Sequence, residues 1–248
     1  MFGQISPGIR IVLVGLGSVW LGAFVSGMLL GQPNEDRSKR LARWAKLLMI
    51  AVTLIVGALW WLGYAVGTSA AAFALRIFLG LVACAVGDVL LAGLTPLRRA
   101  DVLSLVGFGI GHLFFIAGVL QMRGVLGASN LLPVLVATGV GVAATAAAWF
   151  YLIRNPGGSR TLNIASLIYG VLLGASVAIA VGLTVETGAL VVMSLGLILF
   201  MLSDFLVAQH LIRKRNLFPY MRDAMWLVYS TAQVLIAFAI GAAALLVR

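Results

Sequence analysis

"GALVVMSLGLILFMLSDFLVAQH", residues 188–210, decides the fold. Its apolar residues run on without the alternation of a half-buried strand. At ~1.5 Å of rise per residue, a helix of this length spans the ~30 Å hydrocarbon core of a bilayer. Backbone amides in lipid must be paired within the segment, which a helix does and a lone strand does not. One residue conflicts with this reading. Asp204 puts a carboxyl group inside the run, where a charge is costly and by default functional.

The rest of the chain repeats the pattern. Of 248 residues, 62% are hydrophobic and 10% charged, and the mean hydropathy is +1.13. A water-soluble domain buries far less apolar surface than this composition carries. The expected fold is all-α: a polytopic membrane protein, one bundle of eight transmembrane helices filling 1–248 as a single domain. The helices are expected at 10–30, 44–64, 70–94, 101–121, 131–153, 161–183, 188–212 and 221–246. The apolar run of Ile11–Leu30 is long for a signal-peptide core and is read as a retained span. The connections "GQPNEDRSKR", "GLTPLRRAD", "RNPGGSR" and "RKRNLFPYMRD" are short and rich in turn formers, so consecutive helices pack antiparallel. The single cysteine, Cys84, excludes an intrachain disulfide and reads as a small apolar core residue.

The basic residues set the expected orientation. Loops 1–2, 3–4, 5–6 and 7–8 with their flanks carry Arg37, Lys39, Arg40, Arg43, Lys46, Arg98, Arg99, Arg154, Arg160, Arg213, Lys214, Arg215 and Arg222. The other side carries Arg10, Arg76, Arg123 and Arg248. Thirteen against four places the first set of loops in the cytoplasm and both termini outside, an integral multi-pass protein of the inner membrane if the host is bacterial. The net charge of +10 is therefore a topology signal. Basic residues scattered over four loops form no patch for nucleic acid, and no nucleic-acid partner is expected.

The polar residues inside the spans are few. Asp88, His112 and Asp204 lie deepest, whereas Lys46, Arg76, Glu186 and His210 lie nearer the ends and read as snorkelling groups. Asp88 stands ten residues before Arg98, and Asp204 nine before Arg213. Both should sit ~13–15 Å from their basic anchors, at one level in the cytoplasmic half. His112, eleven residues after Asp101, reaches a similar level at ~16 Å. In the last helix Trp226, Tyr229 and Gln233 share a face by their spacing of three and four. The helix "TLNIASLIYGVLLGAS" adds Asn163, Ser166 and Tyr169, a polar stripe whose simpler use is helix packing. "GDVLLAG" and "SDFLVAQ" resemble each other, and Asp88 precedes His112 by 24 residues as Asp204 precedes Tyr229 by 25. Helices 3–4 and 7–8 read as a weak repeat.

Two deep aspartates with no basic partner at their level beyond Lys46 point to chemistry or transport. "GDVLL", "GHLFFIAGVL", "LGLILFMLSDFLVAQHLI" and "LVYSTAQVLIAFA" together resemble the YhhN-like lysoplasmalogenase family. The likeness covers nearly the whole chain. "AKLLM" supplies Lys46 but lacks the proline that often follows that lysine in the family. The resemblance implies hydrolysis of the vinyl-ether bond of a lysophospholipid, a lysoplasmalogen, to a fatty aldehyde and a glycerophospho-base. Asp88 and Asp204 would be the catalytic pair. His112, Tyr229, Gln233, Lys46, Tyr169 and Asn163 would surround the substrate. Neither cofactor nor metal is expected, because two Asp and one His match no metal-binding spacing. The chemistry suits the residues: protonation at carbon needs an acid, and the resulting cation needs a nearby anion. The rival expectation is a proton-coupled carrier of a small molecule or lipid, since intramembrane Asp and His also relay protons.

Overall fold

A computed structural model describes residues 5–35, 37, 39–92, 97 and 99–248. Among these, eight helices are long and apolar enough to cross a membrane, and there is no strand. They are α1 (Pro7–Leu30), α2 (Arg43–Trp60), α3 (Ala71–Leu91), α4 (Ala100–Val125), α5 (Leu132–Ala148), α6 (Arg160–Thr187), α7 (Val191–Leu211) and α8 (Met221–Leu246). The protein is an all-α, multi-pass membrane bundle. Arg98, counted above among the basic loop residues, lies outside the described residues.

Several helix ends follow from local chemistry. Pro7 and Pro133 stand at the first turns of α1 and α5, where a missing N–H costs nothing. The Ser159 hydroxyl accepts the Leu162 N–H and caps α6. Gly188 closes that helix in the left-handed region at φ 70°. α4 and α6 each run four residues past their expected ends at 121 and 183, and two other helices end in an unexpected form. α2 and α5 finish in single π-helical turns, Trp61–Ala65 and Trp149–Ile153. An extra residue in a turn changes neither composition nor periodicity enough to be read in advance.

α8 is the hub and packs on α2, α3 and α7, while α3–α4, α5–α6 and α4–α6 form the other broad seams. Small residues set the close seams, as in other membrane bundles. A Cβ on Gly111 of α4 would lie 2.6 Å from Cys84 Sγ and 3.0 Å from the Gly80 carbonyl of α3. A Cβ on Gly196 of α7 would lie 2.8 Å from Ile236 of α8. Cys84 is fully buried in the α3–α4 seam. α1 and α5 stay at the periphery; α5 buries only Val134.

Glu186 departs from the snorkelling expectation. It pairs with Arg123 at 3.5 Å and accepts the Asn130 N–H at 2.8 Å. The contacts fasten the end of α6 to the last turn of α4 and to the α4–α5 connection. At the opposite end the Asn155 side chain donates to the Ile212 carbonyl at 2.9 Å, and Arg213 donates to the Arg154 carbonyl at 2.9 Å. Gln209 donates to Leu152 at 3.1 Å. These bonds tie the α5–α6 connection to the end of α7, and this is the end at which the aspartates stand.

Candidate active site

Asp88 and Asp204 face one cavity of about 300 Å³ enclosed by α3 to α8. Its walls are mostly apolar: Leu105, Phe108, Leu173 and Met201 among others, with Ser104, Thr145, Ser166, Tyr169 and Tyr229 as the polar exceptions. Asp88 stands one turn from the end of α3, because that helix stops at Leu91. Asp204 stands two turns from the end of α7 at Leu211. These are ~5 Å and ~10 Å along the two axes. The aspartates are therefore not at matched distances from their helix ends, yet they meet on the same cavity.

Each aspartate carries a tyrosine. The Tyr229 hydroxyl of α8 donates to Asp88 Oδ2 at 2.8 Å, and Gln233 Nε2, one turn further along α8, donates to the Tyr229 oxygen at 2.9 Å. The Tyr169 hydroxyl of α6 donates to Asp204 Oδ2. Ser203 makes a longer contact to Asp204 Oδ1 at 3.4 Å. Each phenol thus fixes the position of one carboxyl group against the cavity wall.

An aromatic cluster holds the two tyrosines. Phe108 of α4 stands between them, with ring centroids 6.3 Å from Tyr169 and 6.1 Å from Tyr229. Phe200 packs edge-on against Tyr229 at 5.1 Å and against His112 at 4.8 Å. Edge-to-face pairs at these distances fix ring planes as well as burying area. Gly87 makes room for this arrangement, because a Cβ there would come within 2.9 Å of the Phe108 ring. The small residue before Asp88 thus lets α4 bring Phe108 beside the carboxylate.

The other expected site residues fall in three places. His112 is fully buried behind the cavity wall. Its Nδ1 lies 2.8 Å from Ser176 Oγ, whose own proton goes to the Leu173 carbonyl at 2.8 Å. Ser176 therefore accepts from Nδ1–H, and Nε2 is left as an acceptor 3.4 Å from the Tyr169 hydroxyl. Gln233 sits behind Tyr229 on a small adjoining cavity of about 20 Å³. Lys46 is on the loop side of Asp88, its Nζ 5.0 Å over the Trp226 ring. Asn163 is not brought to the cavity; its amide exchanges hydrogen bonds with the Asn155 backbone at 2.8 and 3.0 Å. Its role there is to hold the α5–α6 connection.

Sequence reasoning did not find Phe108 or Ser176 as parts of this arrangement. Phe108 was open to discovery, since it lies one helical turn before His112. Nothing in spacing links Ser176 to His112 or Tyr169 to Asp204.

The YhhN family model matches residues 40–240. The chain belongs to the YhhN family. No curated protein and no solved structure matches it significantly. The matched residues contain both aspartates, both tyrosines and all six cavity helices except the last turn or so of α8, whereas the peripheral α1 lies wholly outside them.

Proposed function

We propose that this YhhN-family protein is a lysoplasmalogenase, a hydrolase that cleaves the vinyl-ether bond of a single-chain plasmalogen. The observation that carries the reading is that Asp88 and Asp204 face one largely apolar cavity, each with a tyrosine hydroxyl on it.

The reaction needs one of the two carboxyl groups as the acid and the other as the anion, a division of roles that two carboxyls on one apolar cavity can supply. The protonated aspartic acid gives its proton to the vinyl carbon distal to the ether oxygen. The double-bond electrons form the new C–H bond, and the carbon beside oxygen becomes an oxocarbenium. The ionised partner stabilises that cation and takes a proton from the attacking water. The resulting hemiacetal gives its hydroxyl proton to the carboxylate that first acted as acid, while the other carboxyl returns its proton to the glycerol oxygen as that C–O bond breaks, so both groups regain their starting states. The products are a fatty aldehyde and a glycerophospho-base. Tyr229 and Tyr169 orient the carboxylates and stabilise them when charged. Tyr169, between Asp204 and the His112 acceptor, also has a second place to send its proton.

The cavity suits a lipid whose tail must lie among apolar walls. With the loops of α1–α2, α3–α4, α5–α6 and α7–α8 in the cytoplasm, substrate would enter from the cytoplasmic leaflet. The deciding experiment incubates purified protein with a lysoplasmalogen and measures free aldehyde. Aldehyde release that is lost in Asp88→Asn and Asp204→Asn supports the reading. Lipid movement into vesicles without aldehyde would replace it with a carrier.

A further inference from the structure

On the loop side of Asp88 lies a second cavity of about 160 Å³, between the start of α2, the ends of α3 and α7, and the start of α8. It shares Asp88, Leu91, Val207, Leu211, Met225 and Trp226 with the first cavity, so the two adjoin along one wall. Its remaining walls bring in Lys39, Arg43, Lys46 and Arg222. Four cations face one carboxylate.

Among the described residues none of these cations has a carboxylate within 4 Å of it. Among the described residues the only ion pair within 4 Å is Arg123–Glu186, at the other end of the bundle. Asp223, whose charge acts on Lys39, is buried and already hydrogen-bonded. Its oxygens accept the Arg40 and Leu41 backbone N–H groups at 2.5 and 3.0 Å, which fixes the chain entering α2. Lys39, in the loop before α2, is held below its ordinary pKa, first by partial burial and then by the Arg222 and Arg43 charges. Like charges gathered in a concavity repel unless an anion sits among them. The shared wall adds a neutral donor: Trp226 Nε1 is buried and has no hydrogen-bond partner among the described residues.

We propose that this second cavity is the phosphate subsite of a single-chain glycerophospholipid whose tail occupies the first cavity. The ligating groups are Lys39, Arg43, Lys46 and Arg222. This rests on the reading of the first cavity as a lipid site. The distances within the lipid agree with it. In a lysophospholipid only the three glycerol carbons separate the sn-1 oxygen from the phosphate ester. A tail bond held at Asp88 therefore puts the phosphate one short step away, and Asp88 is the ionisable residue among the six that line both cavities. Arginine forks bind phosphate oxygens in pairs, and the lysines add point charge.

The test uses the full-length protein in nonionic detergent and three probes. They are 1-O-hexadecylglycerophosphoethanolamine, whose saturated ether is inert, 1-O-hexadecylglycerol, which has the same tail without phosphate, and inorganic phosphate. Calorimetry should show the phospholipid binding about tenfold or more tighter than hexadecylglycerol, the worth of one charge-assisted contact. The Arg43→Gln/Arg222→Gln double variant should lose that preference yet bind hexadecylglycerol as the wild type does, which also reports that it is folded. If the double variant does not fold, Lys46→Met is measured in the same way. Equal binding of the two lipids by the wild type, or a preference undiminished in the variants, overturns the subsite. Inorganic phosphate binding as tightly as the phospholipid overturns a lipid source for the anion. The hydrolase reading fails separately. A protein that prefers the phospholipid but releases no aldehyde from lysoplasmalogen keeps the subsite and loses the reaction. One that cleaves lysoplasmalogen and phosphate-free 1-alkenylglycerol with the same kcat/KM keeps the reaction and loses the subsite.

Discussion

The Tyr229 hydroxyl donates to Asp88 Oδ2 at 2.8 Å and at the same time accepts from Gln233 Nε2 at 2.9 Å. The phenol thus passes an amide dipole on to a buried carboxylate, and chained hydrogen bonds of this kind strengthen one another. Tyr229→Phe keeps the ring against Phe200 and Phe108 and deletes only the oxygen. Turnover is expected to fall by roughly tenfold or more, with KM little changed, since a bond to a charged group is worth ~1.5–3 kcal/mol. Steady-state aldehyde release decides it. A variant with normal kcat would show that the phenol serves packing alone.

The second tyrosine allows a ranking. Tyr169 bonds Asp204 directly, whereas His112 reaches the aspartate only through Tyr169. Tyr169→Phe should therefore reduce kcat more than His112→Gln, and His112→Gln less than either aspartate substitution. Parallel kinetics of the three types of variant check the order. A His112→Gln protein as inactive as Asp204→Asn would make the histidine a direct participant.

The α3–α4 seam gives a stability contrast. Gly111→Ala would set a methyl 2.6 Å from Cys84 Sγ, and overpacking of this kind costs ~1–3 kcal/mol. Gly139 on the peripheral α5 has no atom within 4 Å of its Cβ position. Gly139→Ala should be neutral or stabilising by ~0.5–1 kcal/mol, because alanine is the better helix former. Thermal melts in detergent compare them. Equal melts would mean that α3 and α4 do not pack as closely as described.

How much of this was legible in the sequence depends on the distance over which each feature is specified. The eight spans were, because lipid imposes length and composition on each segment alone. Trp226, Tyr229 and Gln233 were, because helical spacing within α8 puts them on one face. The partner of Asp204 was not: Tyr169 lies 35 residues away on a different helix, and only packing brings them together. Asn163 illustrates the opposite error. Its place in a polar stripe pointed inward, but a local bond to Asn155 used both ends of its amide. His112 was read correctly as buried, while Ser176, which turns its ring, left no signal in spacing.

The Lys/Arg asymmetry makes a topological prediction. Cys84 is buried, so new surface cysteines can be labelled against little background. Gly157→Cys lies in the exposed α5–α6 connection and Ser129→Cys in the exposed α4–α5 connection. A membrane-impermeant maleimide added to intact cells should label Ser129→Cys and spare Gly157→Cys until the membrane is opened. The reverse pattern would put the aspartates in the outer half of the membrane, and the lipid would then have to enter from that leaflet.

Asp204 returns to the question posed by a carboxyl group in an apolar helix. It bonds Tyr169 and faces the cavity, but it pairs with no cation among the described residues. A structural carboxylate would normally be paired. Asn preserves its shape and can still accept from Tyr169, but cannot deliver a carboxylic proton or balance an oxocarbenium. Asp204→Asn and Asp88→Asn should each lower turnover by at least ~100-fold, the usual contribution of a general acid or base. Melting temperatures should hold or rise, since an unpaired buried acid is removed. Aldehyde release and thermal melts on the same preparations separate the two effects. A folded Asp204→Asn protein with near-normal hydrolysis would make this aspartate a packing residue, and the chemistry would have to be sought elsewhere in the cavity.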